Sequence, residues 1–262
     1  MQDAVEKFAI FGGVEWGKVD TSQDSFELIK KLILDDYRYI RNDITDLTGG
    51  APLHHSILSA IAMGDGKTHS IYKRANVAED VAQRAIDELC ESKIIKYVKA
   101  QDKAVDDKLV FTTPFLKFWF AFVSPLFKGV RDGNYDEVEA RWKNRENEFV
   151  SEIFASLSRE MIKESLKDEK IMNISSFWSR ETSADIYAKT KDKKVLFGTS
   201  SYANAKLKKS ELNKLKEISQ KENLDVDTYI LVSKNGFSSE LKSLKGDNLK
   251  LFTIKHFKVL LD

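Results

Sequence analysis

The densest grouping of side chains able to do chemistry lies in residues 177–202, FWSRETSADIYAKTKDKKVLFGTSSY. Asp185 stands near the start of one strand-like run, and Thr199, Ser200 and Ser201 end the next. Carboxylate and hydroxyl oxygens are hard ligands. With further carboxylates they would hold a divalent cation that stabilises phosphate charge and activates water. Other groupings carry less. Gly64-Asp65-Gly66-Lys67-Thr68 ends like a phosphate-binding loop, but the position of that loop's first glycine holds Ile61, inside a helical pattern, and no buried strand leads in. The segment reads as a turn between helices. His54-His55 has no further ligands at short spacing, and the single cysteine, Cys90, has no CxxC partner, so neither reads as a zinc site. At the start of a helix the His pair reads as surface residues. His69 and His256 are isolated and anchor no Ser–His triad.

These residues need elements to place them. The chain has 262 residues, long enough for two domains, and its 42% apolar content excludes wholesale disorder. Residues 1–50 read as a helical segment in which Phe26, Ile29, Leu32, Ile33, Tyr37 and Ile40 form the buried face of one helix. Residues 51–141 read as a winged helix-turn-helix followed by an aromatic helix. Its first helix starts at Pro52 and buries Ile57, Leu58, Ile61 and Ala62. A second runs over 70–75. A third, from Ala78 with Asn76 as cap, buries Val81, Ala82, Ala85, Ile86 and Leu89. IIKYVK (94–99) and KLVFTT (108–113) alternate like the two strands of a wing. FLKFWFAFVSPLF (115–127), the most aromatic run, reads as core. Residues 142–262 read as an α/β domain with a mixed central sheet: a helix over 146–166, strands near 185–190 and 193–200, a lysine-rich helix over 207–222, and strands at 228–234 and 250–254. The fold class is therefore α+β overall, with a helical first part and an α/β second part.

Charge bears on partners. With 42 Lys+Arg against 41 Asp+Glu the chain is no general polyanion binder. Residues 142–262 nevertheless carry 23 basic and 18 acidic side chains, against 19 and 23 before them. The third helix of the winged unit, where DNA readers place base contacts, exposes Glu79, Asp80, Gln83, Arg84, Asp87 and Glu88, a face that phosphates would repel. Any nucleic-acid contact is expected from Lys96, Lys99 and Lys103 on the wing and from Lys206, Lys208 and Lys209. No apolar run is long enough to span a bilayer, Asp3 and Glu6 are wrong for a signal peptide, and one cysteine fits a reducing cytoplasm.

The 177–202 segment is similar to metal-dependent nucleases of the restriction-endonuclease fold, in which an Asp on one strand and a Glu-x-Lys triplet on the next serve the metal and the attacking water. More broadly the chain resembles the C-terminal region of archaeal-type ATPases, a domain of unknown function in archaea and some bacteria. The residues that carry this likeness are Phe11-Gly12-Gly13-Val14, Ser56 to Ala62, Pro114 to Phe120, Val150 to Ile162, Phe177-Trp178, Asp185-Ile186 and Val195 to Gly198. The resemblance implies a winged helix and a nuclease-like domain, without the ATPase domain. It also exposes departures. The helix has Ala155 where the family has Glu, Asp185 lacks the acid two residues before it, and the triplet reads Thr199-Ser200-Ser201.

One carboxylate with neutral hydroxyls is a poor Mg²⁺ site. The expectation is thus a cytoplasmic, non-catalytic binding or adaptor protein without cofactor or metal, its partner weakly and non-specifically bound DNA, a separately encoded ATPase, or itself. One alternative is a weak nuclease whose site has migrated, with Glu181 or Glu211 as carboxylate and Lys206 or Lys208 as ammonium. The other is a protein-only regulator dimerising through the winged helix.

Overall fold

The computed structural model describes residues 1–16, 19–102 and 104–261. The chain divides into two compact units, Glu6–Glu146 and Asn147–Asp262 with Met1–Val5.

The unit Glu6–Glu146 follows α1 (Gln2–Phe11) with α2 (Ser25–Ile29), whose first turn is closed by the Asp24 carboxylate accepting from the Phe26 and Glu27 amides. A π-helical turn, Lys30–Leu34, then leads past Asp35 and Asp36 into α3 (Tyr37–Leu47). The single amphipathic helix expected over 26–40 is therefore interrupted. A π turn carries one extra residue, which rotates every later side chain around the axis. Of the expected face Ile29, Ile33 and Tyr37 are buried, together with Leu28 and Leu34, while Phe26, Leu32 and Ile40 are only partly covered.

Next come α4 (Pro52–Met63), α5 (Thr68–Ala75) and α6 (Glu79–Glu91), then the antiparallel pair β1 (Ile95–Val98) and β2 (Lys108–Phe111). Pro52 occupies the first turn of α4, where no amide is needed, and Ile57, Leu58, Ile61 and Ala62 are buried as the spacing predicts. Asn76 has a different task from the one expected. It ends α5 at φ 53°, a left-handed conformation that asparagine tolerates, and α6 starts at Glu79 after Ala78, which offers no side-chain cap. On α6, Ala82, Ala85, Ile86 and Leu89 are buried.

The aromatic run forms α7 (Pro114–Phe118), a second π turn at Trp119–Val123, a 3₁₀ turn at Ser124–Leu126 around Pro125, and α8 (Phe127–Arg131). Its aromatic side chains up to Phe122 are buried. Phe118 stacks on Phe122 with ring centroids 5.2 Å apart. Helix α9 (Asp136–Ser165) opens in this unit and continues into the other, beginning ten residues before its expected start.

The second unit continues from α9 into β3 (Ile171–Trp178), β4 (Ser183–Thr190), β5 (Val195–Ser201), α10 (Lys209–Lys221), β6 (Thr228–Ser233), α11 (Ser239–Ser243) and β7 (Leu249–Thr253). The sheet order is β3-β4-β5-β6-β7. The first three strands form an antiparallel meander, and β5, β6 and β7 run parallel, joined by α10 and α11. This is the expected mixed sheet in an α+β chain. Strand β3 is the addition. It is an edge strand with two register shifts and partly exposed positions, so its sequence lacks regular alternation. Phe177, Phe197, Leu212, Leu215, Leu231 and Leu241 belong to one buried cluster joining sheet and helices. Gly198 lets β5 and β6 approach: a Cβ there would lie 2.1 Å from the Ile230 carbonyl oxygen.

Candidate functional site

The last ladder pair of β4 and β5 is Ile186 with Gly198, and one step further the antiparallel register sets Asp185 against Thr199. Asp185 Oδ2 accepts hydrogen bonds from Thr199 Oγ1 at 2.8 Å, the Ser200 amide at 2.8 Å and Ser200 Oγ at 3.1 Å. Asp185 and Thr199, expected near each other on neighbouring strands, are thus brought together. They face one another as acceptor and donors, which fastens the two strand ends.

Arg159, which the spacing did not single out, completes the surroundings. Its Nη1 donates to the Asp185 carbonyl oxygen at 2.9 Å. Burial pushes the guanidinium pKa down, and the Asp185 and Glu160 carboxylates pull it back up; an arginine so placed stays a cation. Ala155 is buried on α9 one turn before Arg159, hence on the same helix face. At these two positions the face carries a methyl group and a guanidinium. Among the described residues no three His, Cys, Asp or Glu side chains converge as a metal ligand set. Ser201 Oγ accepts from the Ala203 amide at 3.4 Å, and its carbonyl accepts from the Lys234 amide at 2.9 Å.

Beyond the strand ends lies a cavity of about 420 Å³ whose walls include Thr199, Ser201, Lys206, Lys208 and Glu211. Lys206 and Lys208 are exposed. Glu211 is ion-paired with Lys214 at 3.0 Å. Glu181 is not part of these walls and pairs with Lys221. Lys209 pairs with Glu240 at 3.0 Å.

In the other unit Lys96 is exposed on β1. Lys99 pairs with Asp107 at 2.7 Å, a hydrogen bond that pushes its pKa up. Lys103 lies outside the described residues. On α6, Glu79, Asp80, Arg84, Asp87 and Glu88 are exposed as expected, but Gln83 is half-buried. Its amide nitrogen donates to Tyr97 Oη and Asp87 Oδ1, and its amide oxygen accepts from Tyr72 Oη. The 64–68 loop is a turn: the Gly66 carbonyl accepts from the Leu109 amide at 2.7 Å, and Lys67 bridges to Lys108. Neither histidine of the 54–55 pair is fully exposed. His54 spans the Thr48 carbonyl and Glu88, both at 2.9 Å, and His55 Nε2 lies 2.6 Å from Ser124 Oγ. No local signal marks that last contact, because its partners are 69 residues apart.

No helix is long and apolar enough to cross a membrane among the described residues. No curated protein and no solved structure matches the chain. Residues 119–218, a span that contains Arg159, Asp185 and Thr199 to Ser201, match the model of a family described as archaeal and bacterial proteins of unknown function, in agreement with the domain of unknown function that the sequence resembles.

Proposed function

We propose that this chain is a non-catalytic binding protein, built from a winged helix and a nuclease-like domain whose metal chemistry has been replaced by internal hydrogen bonds. The observation that carries this reading is the state of Asp185. One carboxylate oxygen already receives three donors, and the neighbouring positions that would supply charge are Ala155, Thr199 and Ser201. A hard dication wants several anionic oxygens. Here it would meet hydroxyl donors and the partly buried Arg159 cation. Three helices followed by an antiparallel pair support the winged-helix reading, and a meander continued by a parallel strand through α10 supports the nuclease-like one. The partners proposed are DNA, held weakly and without sequence preference through Lys96, Lys206 and Lys208, or a separate ATPase. The cell compartment proposed is the cytoplasm.

Plasmid nicking tests the reading. Wild type and Asp185→Ala are expected to leave supercoiled DNA intact with Mg²⁺ or Mn²⁺. Metal-dependent nicking by wild type that Asp185→Ala abolishes would overturn it.

The migrated nuclease is the second reading. Lys206, Lys208 and Glu211 share one cavity with Thr199 and Ser201, which favours it. That cavity offers a single carboxylate, itself ion-paired, and Glu181 is engaged elsewhere. Nicking lost in Glu211→Gln but kept in Asp185→Ala would select this reading.

A further inference from the structure

The unit Glu6–Glu146 holds a cavity of about 400 Å³, within the range of small-molecule sites. Its walls come from α3, the start of α4 and the π turn at Trp119–Val123 with the 3₁₀ turn that follows. Side chains from segments 69 residues apart meet there, since His55 Nε2 lies 2.6 Å from the buried Ser124 Oγ. Tyr37 and Trp119 stack almost parallel on one wall, with interplanar angle 12° and centroids 5.6 Å apart. Phe120, edge-on to His55 at 5.4 Å, extends the aromatic surface. A π turn is rare in proteins and occurs often at functional sites, because its extra residue redirects side chains. This one places Trp119 and Phe120 on the cavity.

The electrostatics are one-sided. Arg41 lines the cavity and forms no ion pair among the described residues, and no Asp or Glu is on the walls. Burial, and secondarily the Arg41 charge, pushes the His55 pKa down, which keeps the imidazole neutral. Burial pushes the Tyr37 pKa up, so the phenol keeps its proton. What remains is a single cation at the edge of an aromatic, hydroxyl-bearing cavity. A guanidinium is shaped for two parallel hydrogen bonds to a carboxylate, and aromatic walls take a flat apolar body.

We infer that this cavity is a binding site for a small aromatic carboxylate, with the carboxylate on Arg41, the ring against the Tyr37–Trp119–Phe120 wall and the His55–Ser124 pair as polar floor. The site lies outside the Asp185 region, so it stands or falls independently of the non-catalytic reading given above.

Calorimetric titration of the full chain with 2-naphthoate, and separately with the neutral 2-naphthylmethanol, tests this. Saturable binding is expected for the acid and at least tenfold weaker binding for the alcohol. Arg41→Ala should weaken the acid at least tenfold. Thr45→Trp, a bulky change at an exposed wall position, should abolish binding. Arg38→Ala, an exposed arginine of α3 outside the cavity, should change nothing. Thermal unfolding of each variant shows that it is folded. The inference is overturned if the acid shows no saturable binding at millimolar concentration, or if acid and alcohol bind alike. It is equally overturned if Arg38→Ala costs as much as Arg41→Ala, or if Thr45→Trp still binds.

Discussion

Thr199 donates its hydroxyl to Asp185 across the ends of β4 and β5 at 2.8 Å, and Ser200 adds its amide and hydroxyl to the same oxygen. A carboxylate in this state behaves as a fastener. Asp185→Ala should therefore reduce stability by about 2 kcal/mol, because it removes three hydrogen bonds to a charged group and leaves partly buried donors unpaired. Thr199→Val removes one donor and should cost about 1 kcal/mol. Urea unfolding of both variants measures the difference. Equal stability of Asp185→Ala and wild type would deny the fastening role.

Adding charge at the strand end should create metal affinity, if the nuclease-like reading proposed above holds. Thr199→Glu with Ser201→Lys places a second carboxylate beside Asp185 and an ammonium where the resembled nucleases have one. Mn²⁺ titration is expected to show saturable binding by the double variant and none by wild type, and addition of Mn²⁺ should raise the Tm of the variant alone.

Gly198→Ala should be among the most damaging single changes in the second unit. The added methyl would meet the Ile230 carbonyl oxygen at 2.1 Å and the Ile230 carbonyl carbon at 2.9 Å, both backbone atoms held in the parallel β5–β6 ladder. Forcing the strands apart should cost about 3 kcal/mol, at the upper end for overpacking. The fall in Tm checks it.

DNA affinity, where measurable, should fall steeply with salt, since each phosphate contact contributes about −0.9 to the log–log slope. Lys206→Ala and Lys208→Ala should each flatten that slope. Lys99→Ala and Lys209→Ala should change it less, because their ammonium groups are engaged by Asp107 and Glu240. Fluorescence anisotropy across a salt series, on two unrelated DNA sequences, reads slope and specificity together.

Acid should weaken the first unit through His55. Its folded-state pKa lies below the ordinary value of about 6.5, chiefly because of burial, so the unfolded chain takes up a proton more readily than the folded one. Stability is then retained above pH 6.5 and declines as pH falls from there towards the folded pKa. Tm measured from pH 7.5 to 5 should show this decline, and His55→Gln should lose that part of it.

Much of the chain could be read from local pattern. Pro52 and the three-and-four spacing of Ile57, Leu58, Ile61 and Ala62 mark α4, and strand–turn–strand alternation after Ser183 marks β4 and β5. That Ala155, Thr199 and Ser201 carry no charge is a matter of residue identity, legible without any structure. What no spacing revealed depends on contacts between distant residues or on backbone irregularity. Arg159 reaches the Asp185 carbonyl 26 positions away, and His55 meets Ser124 across 69. Edge strand β3 takes its conformation from pairing with β4 rather than from alternation of its own. The π turns at Lys30–Leu34 and Trp119–Val123 interrupt the regular 3.6-residue period by which a helix is read from sequence. Sequence alone determined most of the helices and strands and which positions carry no charge, because helix and strand periods and residue chemistry are local properties. Only the tertiary structure decided which groups meet, because the packing that holds a π turn, an edge strand or a half-buried guanidinium is supplied by residues far along the chain.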